Sequence, residues 1–290
     1  YLGKVISRLL QSISEGKEIS FSNTLGIIDL GVDTLAQIEK HSTDRNRTSS
    51  LAFTGNKFEF RMAPSSISIA GINVVLNTIV AEALDNFANR LEKSTDKKAE
   101  MVDIIKETLD THGKVIFDGD NYSEDWQKEA DKRKLPNIKS TVEAISQLGK
   151  NDVVQLFEKY KIFSKDELDA RVIIYVQEYI EKMNIEAETA IDMVNTLYLP
   201  AIEETIRNKG EQEGADLKSL EHSLSQLQEV LTKAQNEKDL IKRANQYENL
   251  VKKEMDNLRK YIDGFEAITS KRLWPVPSYT DLLFGTKNFT

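Results

Sequence analysis

The sequence predicts a mostly helical α+β fold, with a few antiparallel strands followed by a C-terminal helical bundle. Residues 45–62 alternate apolar and polar side chains around a Thr-Gly-Asn turn, a pattern typical of a β-hairpin. Beyond about residue 120, apolar residues recur at helical spacing. Within residues 215–268 they form two seams at steps of three and four, which predict two antiparallel helices joined around 235–238.

The other elements are predicted from local signals. Ser68–Leu91 is apolar on most faces in its first half, so we expect this long helix to be central to the core. Lys114–Phe117 is expected to form a short strand, and Pro136 and Pro200 are expected to separate helices. The three aromatic residues of the tail predict a segment docked on a surface. Helices are predicted at 2–15, 68–91, 97–110, 123–133, 140–148, 151–160 and 164–198.

The two seams within residues 215–268 are best explained by packing inside one bundle, and a coiled coil with a partner is the alternative. Their phase changes near Asn236, which favours two helices over one straight rod. The first seam contains Leu217, Leu220, Leu224, Leu227 and Leu231, and the second contains Ile241, Ala244, Glu248, Val251, Met255, Leu258, Ile262 and Phe265.

Composition narrows the classes of function. The 290 residues carry 39 Lys and Arg against 47 Asp and Glu, a formal net charge of −8, so no basic excess indicates nucleic-acid binding. The chain has no cysteine, which excludes disulfides and thiolate metal sites. Its longest apolar stretch, Ile67–Val80, is too short and too polar to span a bilayer. We therefore expect a cytoplasmic protein with neither a membrane nor a nucleic-acid partner.

The most informative stretch is residues 44–61, where four cations and two carboxylates interrupt the hairpin pattern. Lys57, Glu59 and Arg61 sit at spacing two, so on a strand all three project from one face. Such a row is costly to bury unless it meets phosphate, metal or other charges, which predicts a site for a phosphorylated ligand. Arg45 and Arg47 suit phosphate through their planar forks, or form a solvated charge run. Glu59 is either an oxygen ligand for a hard divalent cation or an ion-pair partner of its neighbours.

Residues 43–61 closely resemble the signature of type III glutamine synthetases, the large bacterial class. Further similarity lies in residues 65–71, 75–84, 121–126, 135–137 and 274–284, and so spans nearly the whole chain. The resemblance implies a cytoplasmic glutamate–ammonia ligase of glutamine biosynthesis, in which glutamate attacks the γ-phosphate of ATP and ammonia then displaces phosphate from γ-glutamyl phosphate. It also implies ATP and Mg²⁺ or Mn²⁺ as cofactors, and a homo-oligomer, which is a dodecamer in the intact family.

The resemblance assigns roles to the charged residues. Arg47 matches the arginine that contacts the transferred phosphoryl group, and Arg61 matches an arginine at the glutamate and phosphate end; both are the predicted catalytic residues. Glu59 matches a metal-binding glutamate. Lys57 stands where shorter members carry a nucleotide-contacting arginine, so it is predicted to bind the nucleotide. Arg45, whose planar fork suits phosphate, is also predicted to bind the nucleotide.

Two departures qualify the resemblance. Ala52 stands where shorter members carry another arginine, and the family's β-grasp domain, paired metal-binding glutamates and glycine-rich loop have no counterpart in these residues. Because the chain also starts at Tyr1, we interpret it as the C-terminal part of the enzyme, inactive alone. Residues 1–120 would belong to the catalytic domain, 121–270 to a helical region with the hairpin, and 271–290 to a docked tail. The alternative is a stand-alone helical interaction or regulatory module related to glutamine synthetase.

Overall fold

The computed structural model describes residues 2, 4–16, 27–28, 38–39, 50–54, 57–63, 65–117, 119–209, 214–277 and 279–285. The chain divides into two compact units, Tyr1–Asn137 and Ile138–Thr290. The division into 1–120, 121–270 and 271–290 stays a prediction.

The first unit combines short strands with helices. Its strands are β1 (Ile27–Ile28), β2 (Ile38–Glu39), β3 (Leu51–Phe53) and β4 (Phe58–Phe60), and its helices are α1 (Lys4–Ser14), α2 (Ala70–Lys93), α3 (Lys97–His112) and α4 (Glu124–Lys132). The strands form two antiparallel pairs, β1 with β2 and β3 with β4. The turn that follows α1 ends at Gly16. Its φ of 66° is a left-handed conformation that glycine adopts without steric cost.

The second unit is entirely helical in the part that the structure describes. Its helices are α5 (Thr141–Ser146), α6 (Asn151–Lys159), α7 (Lys165–Met193), α8 (Leu199–Lys209), α9 (Gly214–Asn236), α10 (Leu240–Gln246), α11 (Lys252–Ile268) and α12 (Tyr279–Phe284). The predicted class, mostly helical α+β with a C-terminal bundle, is therefore confirmed. Ser164 begins α7 with a capping box, in which its hydroxyl accepts from the Glu167 amide and the Glu167 carboxylate accepts from the Ser164 amide.

The two predicted seams form the core of the second unit. The predicted helical hairpin is α9 followed by α10 and α11, which meet along their lengths. Leu220 and Leu227 from the first seam and Val251 from the second are each 0% exposed. Ile241 is the exception, because 40% of its surface stays exposed. Since the seams cover each other within one chain, they are not free to form a coiled coil with a partner.

The helix predicted to stop at Pro200 instead continues through it. A π-helical segment, Val194–Tyr198, links α7 to α8, and the Leu199 amide donates to the Val194 carbonyl. Proline lacks an amide hydrogen, and its ring clashes with the carbonyl four residues earlier in a regular helix. The wider π turn removes that clash, so Pro200 lies inside a continuous helix.

Two predictions for the first unit are wrong. Lys114–Phe117 is not a strand, because Gly113–Val115 forms a 3₁₀ turn. The Arg133 guanidinium donates to the backbone oxygens of Lys114, in this turn, and of Ile116, just after it, at 3.0 and 2.8 Å. Helix α2 is not central to the core. Its single buried residue in the described chain is Thr78, whereas Ile79 and Val80 are 47% and 51% exposed.

Within the described residues, the tail is docked at its start and exposed around α12. Trp274 is 9% exposed, and its ring centroid lies 5.1 Å from that of Tyr198. Leu282 and Phe284 are 66% and 75% exposed. Among the helices described, none is both long enough and apolar enough to cross a membrane.

Candidate functional site

The predicted hairpin holds the candidate site. Strands β3 and β4 pair in antiparallel register, with Ala52 opposite Glu59. The turn is closed by a hydrogen bond of 2.8 Å from the Thr54 amide to the Lys57 carbonyl, and the open end by one of 2.8 Å from the Arg61 amide to the Ser50 carbonyl. These bonds fix the backbone of Lys57 and Arg61, the two candidate cations, at the two ends of β4.

Three of the five predicted site residues come together on this hairpin. Lys57 Nζ lies 3.2 Å from Glu59 Oε1, and the Arg61 guanidinium donates to Glu59 Oε2 through Nε at 3.2 Å and Nη2 at 3.0 Å. The spacing of two therefore does place all three side chains on one face of β4, as the sequence predicted. Arg45 and Arg47 lie outside the described residues.

The charged face of the hairpin is also its more enclosed face. Ala52, opposite Glu59, is 2% exposed, and Thr54 is 7% exposed. On the other face, Phe58 is 64% exposed although its ring contacts Phe53 at a centroid distance of 5.1 Å. A carboxylate between two cations on the enclosed face is electrostatically neutralised there, which lowers the cost of its position.

The electrostatics of the hairpin centre on Glu59. Hydrogen bonds from Arg61 first, and then from Lys57, hold the pKa of the Glu59 carboxyl below its ordinary value. Glu59 is therefore ionised at neutral pH and paired on both sides. The ion-pair interpretation of Glu59 describes the observed state, and the metal-ligand interpretation requires at least one of these pairs to open.

The hairpin supplies one oxygen-donor side chain suited to a divalent cation. Within the described ranges, no three His, Asp or Glu side chains are grouped so that they could hold a metal ion. Magnesium keeps several of its waters and needs a near-octahedral set of oxygens, which a single carboxylate does not provide. The described residues therefore do not form a metal site by themselves.

Sequence reasoning missed Thr54 as a member of the site. Its hydroxyl donates to the Lys57 carbonyl at 3.3 Å and lies 3.5 Å from Glu59 Oε1. The Thr-Gly-Asn turn was recognised, but a turn signal does not specify what the threonine hydroxyl contacts. The hydroxyl joins the turn to the carboxylate and so limits where the Glu59 side chain can lie.

A second group of residues surrounds the segment that resembles the family at 121–126. The Phe117 and Trp126 rings stack with centroids 4.4 Å apart, and the Arg133 guanidinium lies 5.9 and 5.6 Å from their centres. Arg133 also donates to Glu129 Oε1 at 2.6 Å. Because the guanidinium bonds two backbone carbonyls and a carboxylate and lies against two rings, this group fixes the loop after α3.

Comparison with known proteins shows which family the chain resembles. Residues 100–211 match the family described as Glutamine synthetase C-terminal domain. The chain is 34% identical, over 98% of its length and 42% of the relative's, to the type-3 glutamine synthetase of Dictyostelium discoideum. It is 33% identical to the glutamine synthetase of Butyrivibrio fibrisolvens over 86% of this chain and 39% of that one.

A third relative, the glutamine synthetase of Bacteroides fragilis (strain YCH46), is 29% identical over 98% of this chain and 43% of its own. The chain thus spans about two fifths of the length of these relatives. The similarity covers both the charged hairpin and the helical bundle. It confirms the type III resemblance of the sequence, and the chain belongs to the glutamine synthetase family.

Proposed function

We propose that this chain forms one wall of a glutamate–ammonia ligase active site. The observation that carries the proposal is the convergence of Lys57, Glu59 and Arg61 on one enclosed face of β4. Family membership supports the same activity, because every relative named above is a glutamine synthetase. The substrates in this proposal are glutamate, ammonia and ATP, and the product is glutamine.

The proposed reaction has two steps. A side-chain oxygen of glutamate attacks the γ-phosphorus of ATP, and the bond to the bridging oxygen breaks, so that ADP leaves and γ-glutamyl phosphate forms. Ammonia then attacks the acyl carbon, phosphate leaves with the electron pair of its bond, and the nitrogen releases a proton to give the amide. Both steps develop charge on phosphoryl oxygens, which fixed cations stabilise.

The hairpin provides two such cations. Arg61, whose side chain is 22% exposed, presents a planar fork suited to phosphate or carboxylate, and Lys57, at 65%, presents a mobile point charge. In the observed state both are bound to Glu59. We propose that substrate oxygens replace the Glu59 oxygens around the two cations, which frees the carboxylate for another partner. Arg47 keeps the role that the family implies for it at the transferred phosphoryl group, and Arg45 keeps its predicted role in binding the nucleotide.

Mg²⁺ or Mn²⁺, when bound in such a site, would neutralise phosphate charge. In this proposal Glu59 contributes one oxygen ligand, and the remaining ligands come from outside the described residues. We also propose that the active assembly is a homo-oligomer, as the intact family forms dodecamers.

The test is glutamine formation from glutamate, ammonium and ATP by the complete product of the gene that encodes these residues. Arg61→Ala and Glu59→Gln should each lower kcat by about 10² or more, because each removes a charge placed for the transition state. Glu107→Gln is the matched control: Glu107 is also an arginine-paired carboxylate, but it bonds Arg90 away from the hairpin. Unchanged activity of both hairpin variants would contradict the proposed site, and a complete product that forms no glutamine would contradict the function.

The 290-residue chain by itself should form no glutamine, because the described residues lack a complete metal site. Glutamine formation by this chain alone would contradict that expectation. The alternative function, a helical interaction or regulatory module, would need seams that are free to bind a partner. The seams are buried within the second unit and so do not favour this alternative.

A further inference from the structure

A groove in the second unit, separate from the charged hairpin, has the composition of a small-molecule site. Its volume is about 480 Å³, within the range of ligand pockets in proteins. The π segment Val194–Tyr198 and helix α11 form two of its walls, and Trp274, Val276, Pro277 and Leu282 form a third. π segments inside α-helices occur frequently at functional sites.

The floor of the groove is apolar and its edge is acidic. Met193, Met255 and Ile262 line the apolar part. Asp263 and Glu266 line the acidic part together with Asp256, so the edge carries three carboxylates against one cation, Arg259. Such an edge attracts cations, and the apolar floor accommodates a hydrocarbon stem.

The carboxylates differ in how they are satisfied. Asp263 Oδ2 accepts from Arg259 Nε at 3.3 Å. Glu266 is only partly exposed, and no hydrogen bond or ion pair to it occurs among the described residues. A ligand cation beside Glu266 would therefore form a new ion pair without displacing an existing one.

Two aromatic side chains stand beside Glu266. Tyr198 and Trp274 both line the groove, with ring centroids 5.1 Å apart. Trp274 is 9% exposed, yet its indole N–H has no acceptor in the described part of the chain. Burial first, and then the charges of Glu266 and Asp263, raise the pKa of Tyr198. Aromatic faces next to carboxylates are a favourable environment for an alkylammonium group.

The Leu282 end of this third wall is held in place from outside the groove. Lys271 Nζ donates to Asp281 Oδ1, and the Asp281 side chain is 11% exposed. This ion pair fixes the start of α12, and with it Leu282, at the groove. The groove is therefore a formed feature of the second unit.

We propose that this groove binds a small organic cation, an alkylamine whose ammonium group pairs with Glu266 and Asp263 and whose stem lies on the apolar floor. The volume suits a free small molecule rather than a folded partner. Nothing in the proposed ligase reaction uses this groove, so the inference is independent of the proposed function.

Trp274 provides the readout. The chain contains two tryptophans, and Trp126→Phe leaves Trp274 as the single fluorophore while keeping an aromatic ring against Phe117. In that background, titration with 1,6-diaminohexane should change the Trp274 emission in a saturable way. The diol of the same length, 1,6-hexanediol, should bind at least about tenfold more weakly, since it lacks the charge that pairs with the edge. Added salt should weaken the diamine and leave the diol unchanged.

Variants locate the site. Glu266→Gln should weaken the diamine about three- to tenfold, in keeping with the loss of one partly exposed ion pair. Glu254→Gln is the matched control, because Glu254 lies on the same helix but does not line the groove. Equal binding of the diol and the diamine, no saturable change with the diamine, or equal weakening by the two variants would each overturn the proposal.

Discussion

Truncating Leu227 to alanine tests whether the second unit is held together by its two seams. Leu227 is 0% exposed and belongs to the same buried cluster as Val251 and Leu258. Removal of three buried carbon groups, at about 0.8 kcal/mol each, costs about 2.4 kcal/mol in transfer free energy. The cavity left behind adds to this, so we expect a loss of about 3–4 kcal/mol in the free energy of unfolding. For a domain of this size the melting temperature should fall by roughly 6–15 °C.

The assay is denaturant unfolding followed by Trp274 fluorescence in the Trp126→Phe background, which reports on the second unit alone. Ile185→Ala is the control, because 63% of Ile185 is exposed and its truncation should stay within about 0.5 kcal/mol. A Leu227→Ala loss below about 1 kcal/mol, or one equal to the control, would refute the reasoning. It would mean that the two seams do not pack as described.

Three further outcomes follow from single contacts. Arg61 and Lys57 lower the pKa of the Glu59 carboxyl in the folded state. The stability that Glu59 contributes is therefore present above pH 4.5, its ordinary pKa, and is lost as the pH falls below that value. In Arg61→Gln, an NMR titration of the Glu59 carboxyl should give a pKa closer to 4.5. Burial and the hydrogen bond to a carboxylate raise the pKa of Tyr179, so its contribution is present below about pH 10 and is lost above it, and alkaline unfolding of Tyr179→Phe should lack this dependence. Gly119→Ala should cost about 1–3 kcal/mol, measured by chemical denaturation, because its Cβ would lie 2.5 Å from a Phe117 ring carbon.

For each of these outcomes a specific result would contradict the reasoning. A Glu59 carboxyl that titrates at the same pH with and without the arginine would contradict the first. Alkaline unfolding that is unchanged in Tyr179→Phe would contradict the second. For the third, Gly149→Ala is the comparison, because no atom lies within 4 Å of its added Cβ. Equal stability of the two alanine variants would show that the Phe117 ring yields without cost.

The helical part of the fold could be predicted because the information lies in local spacing. Apolar steps of three and four define which face of α9 and α11 is buried, and the phase change near Asn236 locates the turn between the helices. The same reasoning failed for α2. Apolar spacing shows which residues favour burial, but the exposure of Ile79 and Val80 depends on what lies against that face, and local sequence does not contain this information.

The other two errors have the same origin. The β-branched and aromatic residues in Lys114–Phe117 are compatible with a strand, but the Arg133 guanidinium, far away in sequence, binds carbonyls that a second strand would have bound. Pro200 is a correct signal of a break in helical hydrogen bonding. The helix does not end there, because the π segment Val194–Tyr198 provides a wider turn just before the proline.

The charged hairpin was predictable in its geometry but not in its pairing. A spacing of two fixes which side chains share a face of β4. It does not fix whether Glu59 meets a cation on its own strand or a ligand, and the ion pairs to Lys57 and Arg61 resolve this for the observed state. The contact of the Thr54 hydroxyl with Glu59 depends on the exact geometry of the turn, which the turn signal in the sequence does not specify.

The two π segments, Val194–Tyr198 and Tyr247–Val251, bear on how this family varies in length. A π turn accommodates one more residue than an α turn while the helix continues. Each segment is thus a position where a relative can lose one residue without breaking the helix, because the π turn becomes an ordinary α turn and the apolar face downstream keeps its direction. Alignments of relatives through these helices should therefore place single-residue gaps within 194–198 and 247–251, with the apolar spacing unchanged on both sides of each gap.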